Sequence, residues 1–178
     1  DFHGQEAIML INLVVGDADE ADKQAYNIIV TALSLAKEQI PTAIAAYDDK
    51  ETFLVTNTLP PNQLVTRALD IITNIITVKK PLKYLGHPDI LRLRANINRL
   101  HYGLNPSAAK LAQLLEIEYN NLKSISKNNP ATQTINAAMN KLGKQASLVI
   151  LTQSNHDTEA IEFNRYLAFA KGNTVITI

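Results

Sequence analysis

The chain has 178 residues, enough for one domain with a full core, and its 46% hydrophobic and 19% charged residues are ordinary for a globular protein. Its 17 basic and 17 acidic residues cancel, so bulk charge recruits neither nucleic acid nor an anionic lipid surface. With Cys 0 there is no disulfide framework, thiolate metal site or cysteine nucleophile, and no apolar run approaches the roughly 20 residues of a membrane helix.

Residues 7 to 15, AIMLINLVV, form a near-continuous apolar run, the pattern of a strand buried on both faces of a parallel sheet. An acidic turn follows. Ala25, Ile28, Ile29, Ala32, Leu33, Ala36 and Ile40 then recur at helical spacing up to Pro41, which ends the helix. TAIAAY (42 to 47) and ETFLVT (51 to 56) are short strands joined by Asp48-Asp49-Lys50, too short for a crossover, so they pair antiparallel. Pro60-Pro61 opens a helix carrying Leu64, Val65, Ala68, Leu69, Ile72, Ile75 and Ile76.

Residues 79 to 130 are punctuated by Pro81, Gly86, Pro88, Gly103, Pro106 and Pro130. One helix fits around Asp89 to Leu100 and a second around Ser107 to Ile125, with Leu111, Leu114, Leu115, Leu122 and Ile125 as its apolar set. The second stretch superficially suggests a helix-turn-helix, but it lacks a turn glycine, and Glu116 and Glu118 stand where phosphates would approach. A short helix with Ile135, Ala138, Met139 and Leu142 follows, with Gly143 placed to end it. ASLVILT (146 to 152) is another apolar strand, 157 to 171 a helix, and 174 to 178 a last strand. Strands alternating with helices indicate an α/β three-layer sandwich: a mostly parallel sheet, one antiparallel edge strand, and helices on both faces. The expectation is a single domain spanning 1–178. Because the chain stops inside a strand-like run, it is expected to be a fragment of a longer protein.

Recognised catalytic spacings are missing. There is no glycine-rich phosphate loop, no G-x-S-x-G elbow, and no metal-ligand spacing among His3, His87, His101 and His156. Ser154, His156 and Asp157 sit too close in sequence to be read as a triad, which is assembled from distant segments. The acidic loop Asp17-Ala18-Asp19-Glu20-Ala21-Asp22 fails the calcium-loop pattern: its fifth position is Ala21, its sixth Asp22 and its twelfth Ile28. It reads as a helix start, with Asp17 or Asp19 capping backbone N–H groups. Charge is nonetheless uneven. Residues 1 to 22 hold Asp1, Glu6, Asp17, Asp19, Glu20 and Asp22 without Lys or Arg, whereas between 79 and 102 Lys79, Lys80, Lys83, Arg92, Arg94 and Arg99 face only Asp89. Such a basic stretch is usually a solvated face, and can dock an acidic partner.

The first strand IMLINLVV, Asp22-Lys23 and Tyr26 opening a long helix, the hairpin TAIAAYDDKETFLVT and the late strand LVILT together resemble a von Willebrand factor type A-like domain. More narrowly they resemble the version found in the bacterial domain-of-unknown-function family numbered 58. The resemblance implies a cation site built from D-x-S-x-S after the first strand, a loop Thr, and an Asp after the fourth strand, holding Mg²⁺. Here Asn12 falls at the Asp position, Val14 and Gly16 at the Ser positions, Thr132 or Thr134 at the loop Thr, and Thr152-Gln153 at the final pair. Both carboxylates are gone, so the expectation is a degenerate site with no metal and no cofactor; Asp17, Asp19, Thr132 and Asp157 are the residues from which an oxygen cluster could be rebuilt.

The resemblance further implies a non-catalytic protein-interaction domain working with a MoxR-type AAA+ ATPase, in a bacterial parent anchored to a membrane by segments outside this region. Its expected contact residues are Gly16, Asp17, Asp19, Glu20, Ser154, His156 and Asp157 on the loop edge, or Lys79, Lys80, Lys83, Arg92, Arg94 and Arg99. Two other readings compete: a metal-dependent hydrolase using the acidic loop 17–22, and nucleic-acid binding through 79–99.

Overall fold

The computed structural model describes residues 6–74, 76–78, 90–102, 105–142, 146–153, 161, 162, 164, 165, 168 and 174–178. In chain order these form β1 (Glu6–Asn12), β2 (Val14–Val15), α1 (Ala18–Lys37), β3 (Thr42–Tyr47), β4 (Thr52–Val55), α2 (Pro61–Asn74), β5 (Thr77–Val78), α3 (Ile90–His101), α4 (Pro106–Asn128), α5 (Pro130–Met139), β6 (Ala146–Leu151) and β7 (Val175–Thr177). Ile161, Glu162, Asn164, Arg165 and Ala168 are helical as well.

A five-stranded sheet runs in the order β4-β3-β1-β6-β7. β1 is parallel to both β3 and β6, β6 is parallel to β7, and β4 is the antiparallel edge strand. The short 48–51 connection forces that antiparallel pairing, and Asp48 closes it by accepting the N–H groups of Lys50 at 2.7 Å and Glu51 at 2.8 Å.

The central strand alternates between two cores. Ile8 and Leu10 face α5 through Ala131, Ile135 and Ala138, and share that core with Ile161 and Ala168. Met9 and Ile11 face α1 and α2 through Ile28, Ala32, Leu64, Ala68 and Ile71. Both faces are therefore dry, which is why β1 carries almost no polar side chain. The architecture is the α/β three-layer sandwich, with helices on both faces of a mostly parallel sheet. A small satellite cluster (Leu93, Ile97 and Leu122, with Leu115 and Tyr119) joins α3 to α4.

Four sequence expectations need correction. The run 7–15 is not one strand: it leaves the main sheet at Leu13, and β2 pairs instead with β5 in a two-stranded sheet. The Asn12 side chain accepts the Val14 N–H at 3.0 Å, a local turn that competes with strand continuation. In α1, Leu33 is exposed and the polar Gln24 is buried. In α4, Ala112, Leu122 and Ser126 are buried, while Leu111, Leu114 and Ile125 are exposed, because the hairpin partner α3 covers a face rotated from the expected one.

The fourth concerns helix ends. α1 stops at Lys37, ahead of Pro41, because Gln39 turns left-handed at φ 56. Gln39 N–H reaches Ala36 O at 3.1 Å and Ile40 N–H reaches Leu35 O at 3.0 Å, the paired bonds of a Schellman ending. α5 likewise ends at Met139, before Gly143, which lies outside the described residues. Asn129 separates α4 from α5 and caps the latter, its side chain accepting Ala131 N–H at 2.9 Å.

Candidate functional site

Strand order reverses beside β1. From β1 the chain moves through α1 to β3 on one side, and later strands β6 and β7 lie on the other. The crevice at the carboxyl ends of β1 and β6 is thus the switch point, where open α/β sheets place their ligands. Three polar residues occupy it: Asn12 ending β1, Thr152 just past β6, and Gln24 on the second turn of α1.

These residues bond to one another and to the strand ends. Asn12 Nδ2 donates to Thr152 Oγ1 at 3.1 Å, and Asn12 Oδ1 accepts the Val14 N–H. Gln24 Nε2 donates to Asn12 O at 3.0 Å and to Leu151 O at 2.8 Å, tying both strand ends to α1. Gln24 and Asn12 are wholly buried, and Gln24 Oε1 has no hydrogen-bond partner. Reversing the amide would point that oxygen at two carbonyls, so the orientation is fixed by what it faces. Val14 and Val15 beside it are buried and apolar.

The acidic loop is a helix start. Asp17 is extended at φ −153 and caps α1, its Oδ1 accepting Glu20 N–H at 2.8 Å. Glu20 Oε2 reaches back to Gly16 N–H at 2.7 Å, a variant of the reciprocal capping box shifted outward by one residue. Asp17, Asp19 and Asp22 are exposed, and Glu20 is half-buried.

The two loop-threonine candidates are both buried on α5. Thr132 Oγ1 accepts Asn164 Nδ2 at 2.7 Å, and Thr134 Oγ1 shares a hydrogen bond with Thr52 Oγ1 at 2.7 Å. Gln153 is half-buried. Ser154, His156 and Asp157 lie outside the described residues, as do Lys79, Lys80 and Lys83.

The arginines of α3 do not form one patch. Arg92 and Arg99, seven residues apart, share a helix face. Arg94 turns instead toward α4, where its guanidinium stands 5.9 Å from the Tyr119 ring centre and donates to Tyr119 Oη at 3.3 Å. An open groove of about 260 Å³ lies there, lined by Arg94, Asn98, Glu116, Tyr119 and Lys123 among others; Glu116 is held by His101 at 2.8 Å.

The switch-point residues do not fit a hard divalent cation. Mg²⁺ wants six oxygens, charged ones among them. Asn12 offers one neutral oxygen, already bonded to an N–H, and the Thr152 hydroxyl is engaged by the Asn12 amide. Among the described residues no group of three or more His, Asp or Glu is arranged to hold a metal ion. Gln24, which closes the crevice, escaped the sequence reading; its signal was a polar residue four positions before the buried Ile28 on the inner face of α1. Neither a scan against protein-family models nor a search of curated proteins finds a match for this chain.

Proposed function

We propose that this chain is a type A-like, non-catalytic protein-interaction domain whose ancestral cation crevice has been replaced by a neutral hydrogen-bonded plug. The observation that carries the reading is the Asn12–Thr152 bond, which joins the two strand ends that would flank an ion. The strand order β4-β3-β1-β6-β7, with its hairpin edge strand, supports the family assignment by topology. Fold alone does not decide function. The site-level support is that neutral amides and a hydroxyl, bonded to one another, occupy the place where chemistry would sit.

On this reading, partner recognition falls to the rim of the plug. Asp17 and Asp19 are exposed there, and Gly16 and Gln153 are half-buried. The partner proposed from the family resemblance is a MoxR-type AAA+ ATPase. The test has two arms. Calorimetric titration with Mg²⁺, Mn²⁺ and Ca²⁺ is expected to give no binding heat. A photo-crosslinker at Asp19 is expected to capture the ATPase, while one at Asn62 on α2 is not. Saturable cation heat lost on Thr152→Val would overturn the plug, and equal capture from both positions would overturn the rim.

A further inference from the structure

The outer face of α1 presents large apolar side chains to solvent. Tyr26 is 68% exposed, Val30 41% and Leu33 50%, on the side of the helix away from Ile28 and Ala32. With Asp22, the half-buried Ile29 and Lys37 they form one stripe, at successive spacings of four, three, one, three and four residues. Residues three and four apart share one helix face, so the set lies along one side of α1. Asp22 and Lys37 are both exposed and close the stripe at opposite ends.

The stripe reads the same in both directions. If residue i of one helix meets residue 59 − i of another, Asp22 meets Lys37, Tyr26 meets Leu33, and Ile29 meets Val30. This is the pattern of an antiparallel pair about a twofold axis through the 29–30 region. Each such pair supplies two ion pairs of opposite sign, and the two helix dipoles oppose each other. A foreign partner would require no such palindrome; a second copy of this chain does. We propose that α1 is a self-association surface through which two copies pair antiparallel.

α2 packs on the same sheet face as α1 and adds Leu69, 45% exposed, to this side of the molecule. One helix face still falls below the about 800 Å² per partner of a standard interface, so the dimer is weak, dissociating between about 10 µM and 1 mM.

Charge exchange tests it in a way that general destabilisation cannot imitate. Sedimentation of the whole chain from about 5 µM to 1 mM is expected to show reversible dimerisation. Asp22→Lys and Lys37→Asp each place like charges at both ends and are expected to weaken the dimer at least about tenfold. An equimolar mixture of the two variants restores both ion pairs in a heterodimer and is expected to regain wild-type association. The chain has Cys 0, so Val30→Cys introduces a single thiol close to the axis and should form a disulfide dimer under mild oxidation faster than Gln63→Cys on α2. A wild-type chain that stays monomeric throughout, a mixture no more associated than either variant alone, or equal crosslinking of the two cysteine variants would each overturn the proposal.

Discussion

Asn12 and Thr152, 140 positions apart, are joined by a 3.1 Å hydrogen bond at the carboxyl edge of the sheet. The bond takes up the hydroxyl of Thr152 and one amide proton of a wholly buried Asn12. Asn12 also fixes the chain direction, since its oxygen holds Val14 N–H and diverts the strand into β2.

Replacing Asn12 by Asp puts the acidic residue that the type A resemblance implies into a wholly buried position among neutral groups. The introduced carboxylate is desolvated, so its folded pKa rises above its unfolded value. The native state then holds its proton more tightly, and the penalty appears as pH rises above the unfolded pKa. We expect Asn12→Asp to cost about 1–3 kcal/mol near neutral pH and less near pH 4, measured by urea unfolding at both. Added Mg²⁺ should not recover the loss.

Gln24 should be more sensitive than its position on a helix suggests. Gln24→Leu removes the bonds that Gln24 donates to Asn12 O and Leu151 O in a buried crevice. A loss of about 2–4 kcal/mol is expected by denaturant unfolding. Gln24→Glu should be worse at neutral pH, because a carboxylate would face two carbonyl oxygens, and should improve on acidification as the protonated acid regains one donor.

Asp17 separates a cap from a metal ligand. As a cap, Asp17→Ala should lose about 1 kcal/mol of stability, whereas Asp17→Ser or Asp17→Asn should lose little. A ligand would behave otherwise, with Asn failing as Ala does and stability rising with added cation. Thermal unfolding with and without Ca²⁺ and Mg²⁺ checks this directly.

Gln39 carries left-handed strain in a position where glycine is the usual residue. Gln39→Gly should stabilise the protein by about 0.5–1 kcal/mol, offset in part by the greater freedom of glycine in the unfolded chain. The Gln39 side chain donates to Ala36 O at 3.0 Å, and loss of that exposed bond should matter little. An unfolding midpoint that falls would contradict this account.

The sheet was largely legible because its signals are local and redundant. The apolar runs of β1, β3 and β6 allow only a sheet covered on both faces, and a three-residue link allows only a hairpin. Helix faces were harder. Leu33 and Leu111 fit the apolar period yet are exposed, since periodicity finds a stripe without saying which of two adjacent stripes a neighbour covers. Asn12 and Thr152 were singled out through the type A resemblance, but the bond between them depends on the pairing of β1 with β6, a long-range fact. Gln24 was missed because a glutamine on a helix looks solvated until two strand ends are placed above it.

Gln24 spans 127 positions to reach Leu151, so the first helix cannot finish docking until the chain has been made through Leu151. During synthesis, β1 has β3 for a neighbour early, while its other edge stays bare until β6 emerges. Until then the amide of Gln24 has half its native acceptors, and an open strand edge is available to any chaperone or misplaced strand that arrives first. The plug at the switch point is thus also a late-closing latch: it makes α1 report that the far half of the sheet has been delivered.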